Sequence, residues 1–217
     1  NGKVTRISGA TVHINCPGLQ IGDRVQVGEN RLTGEVVRLD GESATVQVFE
    51  ENRGLGVNEP AGSAGGPLTV QLGPGLLGGV FDGLQRPLQL LRESCGAFIA
   101  SGQHPSSLDL HRKWQFVPQV QSDCDVQIGD QLGTIREGHI SHPVHALDGG
   151  RLVEVAKGEL VLDQPVALTA DGRRLQAWHA WPVRRARPYR KKLPPATPLV
   201  TGQRCLDFLF PLVKGGI

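Results

Sequence analysis

Gly34-Glu-Val-Val-Arg-Leu-Asp-Gly-Glu-Ser-Ala-Thr-Val-Gln-Val-Phe49 decides the class of fold. Two runs of apolar/polar alternation, Gly34–Leu39 and Ala44–Phe49, flank Asp40-Gly41. A period of two puts successive side chains on opposite faces of a strand. Asp-Gly between two such runs predicts a tight hairpin, because both of its positions tolerate positive φ. Working backwards, Lys3–Ser8, Thr11–Ile14 and Arg24–Val27 alternate in the same way. Turn residues separate them at Ser8-Gly9, Pro17-Gly18, Ile21–Asp23 and Gly28–Asn30. Five or six short strands at this spacing predict a small closed barrel, the arrangement that leaves no strand edge unpaired.

Working forwards, the texture changes at Pro67. Glycines at 73, 75, 78, 79 and 83 are interleaved with Leu72, Leu76, Leu77, Val80 and Phe81, whose side chains favour burial over a flexible linker. A short helix is expected next, with Pro87 in its first turn and Leu88 and Leu91 on one face. Residues 96–180 return to strands: Trp114–Pro118, Val126–Ile135, Ile140–His145, Gly149–Val155, Glu159–Leu162 and Pro165–Leu168. This order resembles the barrel-sandwich modules of lipoyl and biotinyl carriers. Carriers display a modified lysine on a hairpin, and no lysine lies between Lys113 and Lys157. The resemblance therefore extends to architecture and not to carrier chemistry.

Composition bounds the rest. The 217 residues suit one large domain or two small ones, and Gly (29) with Pro (15) fills about a fifth of them. A net charge of +2 is too small to argue for nucleic acid by itself, and only the local basic cluster asks for an explanation. Cys16, Cys95, Cys124 and Cys205 form no Cys-x-x-Cys, so they read as buried or free thiols of a reducing compartment. No apolar run approaches the length of a membrane span. The chain has no methionine, which reads as a piece beginning after the encoded start.

Three patterns invite chemistry. His139-x-x-His142-x-x-His145 has ligand residues, but positions three apart on a strand face opposite ways, and Pro143 opposes a helix that would align them. Hairpin and surface histidines are the expectation, and no metal site. Arg184–Lys192 holds six cations in nine residues. It can be read as a phosphate or nucleic-acid patch, a solvated connector, or an inter-subunit ion-pair segment. Lacking an aromatic platform beyond Trp181 and Tyr189, it is read first as a proline-stiffened connector docking on acidic neighbours. Lys214-Gly215-Gly216 has its lysine before the glycines, the reverse of a phosphate-binding loop. No nucleophile with a base is arranged anywhere, so no catalytic residue is expected within the chain.

Three segments together resemble one family. They are Leu39–Glu51, Pro67–Leu88, and Trp181–Pro188 continuing through Leu199–Gly216. The family is the catalytic A subunit of V-type and archaeal A-type rotary ATPases. The strand-rich stretch near 96–180 matches the bulge insert of that subunit, which its F-type, flagellar, secretion and B-subunit relatives lack. Ala10 where the family has proline, a shortened segment after Thr11, and Ile217 where it has threonine are departures.

The resemblance implies a six-stranded barrel over 1–66, a Gly-rich junction and short helix over 67–95, the bulge over 96–180, and over 181–217 a connector and the truncated start of a nucleotide-binding domain. It places the phosphate-binding loop within about ten residues after Gly215 and Gly216. The catalytic glutamate and adenine pocket follow later still, so no cofactor-binding residue lies in this chain. ATP and Mg2+ would belong to the full-length protein. Partners would be the B subunits of an A3B3 hexamer and the central and peripheral stalks, with no nucleic acid and no membrane insertion. The place would be the cytoplasmic side of a membrane, where ATP hydrolysis or synthesis is coupled to proton or sodium transport. The chain itself would be structural. A freestanding, non-catalytic β-barrel binding module is the alternative. The element Thr201–Phe210 is expected to expose Leu206, Leu209 and Phe210 unless a further sheet covers them.

Overall fold

The computed structural model describes residues 2–187, 194 and 196–215. The chain divides into two compact units, residues 1–184 and 185–217. The first unit begins with β1 (Gly2–Ser8), β2 (Thr11–Asn15), β3 (Asp23–Val27), β4 (Leu32–Asp40), β5 (Ser43–Val48) and β6 (Pro60–Pro67). These close into an antiparallel barrel in the order β1-β2-β5-β4-β3-β6, sealed where Gly2 pairs with Ala61 and Lys3 with Pro60. The alternation read from sequence is the alternation of burial: Val12 and Ile14 on β2, Ala44, Val46 and Val48 on β5, and Val25 and Val27 on β3 fill the interior. Gly34 makes one close approach possible, since a Cβ there would stand 2.5 Å from Val46 Cγ1.

The hairpin lies where Asp40-Gly41 predicts it, with the turn moved by one residue. Asp40 pairs with Ser43, so Gly41 and Glu42 make the turn. Gly41 alone of these takes positive φ, 61°. Asp40 is thus the last ladder residue and not a turn residue.

β6 carries no strand signal in the sequence. Pro60-Ala-Gly-Ser-Ala-Gly-Gly-Pro67 lacks the branched and aromatic side chains that mark strands. Its place comes from pairing on both sides, with β1 and β3.

β7 (Thr69–Leu72) leaves the barrel, and α1 (Leu88–Cys95) follows the Gly-rich junction, with Pro87 as its N-cap and Leu91 buried beneath it. Burial of the junction is only partial: Leu76 packs on the second core, whereas Leu77 and Val80 are exposed. Two four-stranded sheets come next. One has the order β11 (Ile140–His145), β10 (Gln131–Glu137), β8 (Lys113–Pro118), β13 (Gly158–Val161). The other runs β15 (Arg174–Gln176), β14 (Pro165–Thr169), β12 (Gly150–Val155), β9 (Asp125–Val126). They share one core, with Trp114, Phe116, Leu132 and Ile135 from the first sheet and Val126, Leu152, Val166 and Leu175 from the second. β16 (His179–Pro182) returns to pair with β7.

The expected strand Val126–Ile135 is broken. Gln127–Asp130 is a turn, and the pieces on either side belong to different sheets. Gly129 takes φ 95°, and the Asp130 carboxylate accepts the Gln127 N–H at 2.7 Å, closing the turn locally.

The second unit contains β17 (Pro198–Leu199), α2 (Arg204–Leu209) and β18 (Leu212–Val213), with β17 and β18 paired.

Candidate functional site

Two carboxylates enclosed by the first unit organise its charged residues. Glu50 follows β5 with a side chain only 3% exposed. Its Oε2 accepts Arg86 Nη1 at 2.9 Å and Gly102 N–H at 2.8 Å, while Oε1 accepts Thr33 N–H at 2.9 Å. Arg86 also donates from Nε to Asp82 Oδ2 at 2.6 Å. Burial pushes the Asp82 carboxyl up, but hydrogen bonds from Arg86 and the Leu84 N–H outweigh it and leave its pKa lowered. One guanidinium thus ties the barrel to the Gly-rich junction and to the loop after α1.

The second carboxylate is Glu35 on β4, with a side chain 4% exposed. Arg184 grips it with both prongs, Nε to Oε1 at 2.5 Å and Nη2 to Oε2 at 2.6 Å. This two-pronged fit is the strong form of a guanidinium–carboxylate bond. The Arg184 hydrogen bond, opposed by burial, holds the Glu35 pKa below the usual carboxylate range. The expected docking of the basic run on acidic neighbours is seen at this residue. Positions 188–193, which include the end of the run from Arg190 to Lys192, lie outside the described residues.

A polar network reinforces the junction. Gln71 and Gln85 exchange two hydrogen bonds, at 2.7 and 2.6 Å, and Ser107 Oγ donates to Gln85 O at 2.6 Å. None of Glu35, Glu50, Arg86, Gln71 or Gln85 stands out in the sequence. Apart from Asp82, four residues before Arg86, their partners lie 14 to 149 residues away, so little local spacing marks them.

The three histidines do not converge. His142 Nε2 meets Glu137 Oε2 at 2.5 Å, His145 Nδ1 lies 3.0 Å from Gly129 O, and His139 sits exposed in the β10–β11 turn. Among the described residues, no group of three or more His, Cys, Asp or Glu could hold a metal ion. The cysteines are free thiols; Cys16 is buried and Cys205 exposed.

In the second unit, Asp207 folds the start of α2 around itself. It accepts Thr201 N–H at 3.0 Å, Thr201 Oγ1–H at 2.8 Å and Gly202 N–H at 3.0 Å, which lowers its pKa. Leu206, Leu209 and Phe210 are exposed, as is Phe208. Lys214 N–H donates to Thr197 O, and Gly215 takes φ 77°. Gly216 lies outside the described residues.

Residues 4–62 match the profile described as ATP synthase alpha/beta family, beta-barrel domain. Residues 105–184 match the ATP synthase alpha/beta subunit barrel-sandwich domain. The chain belongs to the ATP synthase alpha/beta family, on the branch formed by the A subunits of A-type and V-type enzymes.

The V-type ATP synthase alpha chain of Anaeromyxobacter dehalogenans (strain 2CP-1) is 44% identical over 100% of this chain and 38% of its own length. An A-type ATP synthase A subunit of Methanospirillum hungatei is 42% identical over 99% of this chain and 37% of its own. The chain thus spans under two fifths of the length of these curated relatives. Among solved structures, the assembled ATPase EscN with its central stalk EscO, from the enteropathogenic E. coli type III secretion system, aligns at 22% identity and TM-score 0.39. That alignment covers 60% of this chain and 29% of EscN. No helix among the described residues is long and apolar enough to cross a membrane.

Proposed function

We propose that the chain is the scaffold portion of the catalytic A subunit of an A/V-type rotary ATP synthase. The carrying observation is identity of 42–44% sustained along essentially the whole chain to proteins named as that subunit. In this reading residues 1–66 form the barrel, 67–95 the junction, 96–180 the bulge and 181–217 the connector and start of the nucleotide domain. The barrel contributes to the crown of a hexamer with B subunits, and the bulge projects toward the peripheral stalk. The whole protein hydrolyses or makes ATP at the cytoplasmic face of a membrane, coupled by rotation of the central stalk to proton or sodium transport across that membrane.

ATP and Mg2+ would be held past Gly215–Gly216, and no step of the chemistry is assigned to the residues described. What this chain supplies is rigidity. The barrel has no free edge, and two enclosed carboxylates brace the segments leaving it.

The reading is tested by calorimetry of this 217-residue chain with ATP and adenosine. The expected result is no adenine-dependent binding; micromolar affinity that requires the adenine would overturn the scaffold role. A second check is the gene beyond Ile217, where a Gly-rich loop ending Gly-Lys-Thr is expected within about ten codons. A stop codon there would favour a freestanding module.

A further inference from the structure

We infer that the cavity between the barrel wall and the β7–β16 ribbon is a binding site for a small oxyanion of the phosphate class. The cavity measures about 330 Å3, at the lower end of the ~300–1,000 Å3 typical of small-ligand pockets. Its walls mix polar and apolar groups, with Arg24 and Gln26 from β3, Arg86 and Ser106 from the junction side, and Trp178 just before β16.

Two observations give the ligand its sign and its chemistry. The first is charge. Arg24 makes a hydrogen bond from Nη2 to the Ala64 carbonyl at 3.0 Å, and among the described residues it has no carboxylate partner. The acid directly across the ladder is Glu35, and both of its oxygens are committed to Arg184. One guanidinium is therefore in excess on the β3 wall. The opposite wall carries Arg86 with its own two carboxylates, so an anion seats toward Arg24.

The second observation is a pair of unmatched donors. Arg24 Nε and Trp178 Nε1 are both buried without a hydrogen-bond partner, and both residues line this one cavity. Buried polar atoms are nearly always paired, and such exceptions commonly mark a place for an ion or ordered water. Here the two orphans are both donors and one belongs to a cation, so the complement is an acceptor-rich anion. Both nitrogens are enclosed in the structure, so binding requires the two side chains to turn toward the cavity, a movement that the indole N–H resonance will report.

The test is a titration of the whole chain with inorganic phosphate at constant ionic strength, following the indole resonances of Trp114, Trp178 and Trp181. The expected result is a saturable shift of Trp178 Nε1–H, complete below roughly 10 mM phosphate, with Trp114 unmoved. Arg24→Gln should weaken binding at least tenfold, and Trp178→Phe, read by calorimetry, about three- to tenfold. Should Arg24→Gln fold poorly, Trp178→Phe and Arg24→Lys, which keeps the charge but loses the fork, carry the test. A non-saturable shift, as ordered water alone would give, overturns the proposal. So does affinity unchanged in both Arg24→Lys and Trp178→Phe. ATP moving the Trp178 signal where phosphate does not would overturn the free-oxyanion assignment. Adenine-dependent binding elsewhere would instead bear on the scaffold reading above.

Discussion

Gln20-Ile-Gly-Asp23 in the barrel and Gln127-Ile-Gly-Asp130 in the sandwich are the same four residues folded the same way. Each aspartate accepts the glutamine N–H, at 2.8 and 2.7 Å, and each donates its own N–H to the glutamine carbonyl at 3.1 Å. Each glycine has φ near 90° (90° and 95°) and donates to a carbonyl outside the turn, Val36 O and Ala146 O, at 2.8 Å. A buried apolar residue precedes each turn, Leu19 and Val126, and each isoleucine tip is left exposed. Beyond the turn the two regions part. β3 enters a closed barrel, paired with β4 and β6, whereas β10 enters an open four-stranded sheet between β11 and β8. The turn is thus a portable local device, and barrel closure is decided elsewhere, by pairing of residues about 60 apart at the β1–β6 seam.

That contrast can be tested first at the glycines that let strands approach. At Gly133 a Cβ would meet the Val117 carbonyl and the Phe116 ring, each at 2.5 Å, and a backbone atom has nowhere to go. Gly133→Ala is expected to cost about 3 kcal/mol or more in urea denaturation and to loosen the sandwich. At Gly34 the 2.5 Å neighbour is a Val46 methyl, so Gly34→Ala should cost less, about 1–2 kcal/mol. The reverse order would mean that the barrel is the stiffer of the two.

The next effect is acid sensitivity of the barrel brace. The folded pKa of Glu35 is lowered, so its contribution is fully present above the unfolded value near 4.3 and is lost as pH falls through the folded value. Melting curves should show barrel stability falling below about pH 4.3, and Glu35→Gln should flatten that fall while lowering the neutral-pH midpoint by a few degrees. An unchanged acid limb would remove Glu35 as its source.

Smaller still are the turns themselves. Asp23→Ala and Asp130→Ala should each cost about 0.5–1.5 kcal/mol, the worth of a hydrogen bond, and by similar amounts. A difference above twofold would show that the turn is not portable. Least of all, Ile21→Thr and Ile128→Thr should change stability by under about 0.5 kcal/mol.

Much of the barrel is legible because its strands carry their own alternation, and Val12, Ile14, Val46 and Val48 face inward as their spacing requires. β6 is illegible because Ala, Gly and Ser have no face to show. The Gln127–Asp130 break is hidden even though Ile21–Asp23 reads as a turn from the same letters. Apolar residues on both sides make a continuous strand the simpler reading. The burial expected of Leu77 and Val80 fails because the junction wraps a surface. Of the Glu35–Arg184 brace only the cation is legible, as the start of the basic run; its acid lies 149 residues away, and only the fold brings the two together. The family is legible from long segments of sequence, which resemblance reads whole and periodicity does not.

Arg184 is the last residue of the first unit, and its fork is set in a carboxylate on the barrel wall. Tension along the connector would therefore meet two parallel hydrogen bonds before it reached the β16–β7 ladder. The force would pass into β4, the strand held on both sides by β3 and β5. In mechanical terms Arg184 is a strain relief, which grounds a pull in an interior strand of the barrel and spares the hairpins of the sandwich.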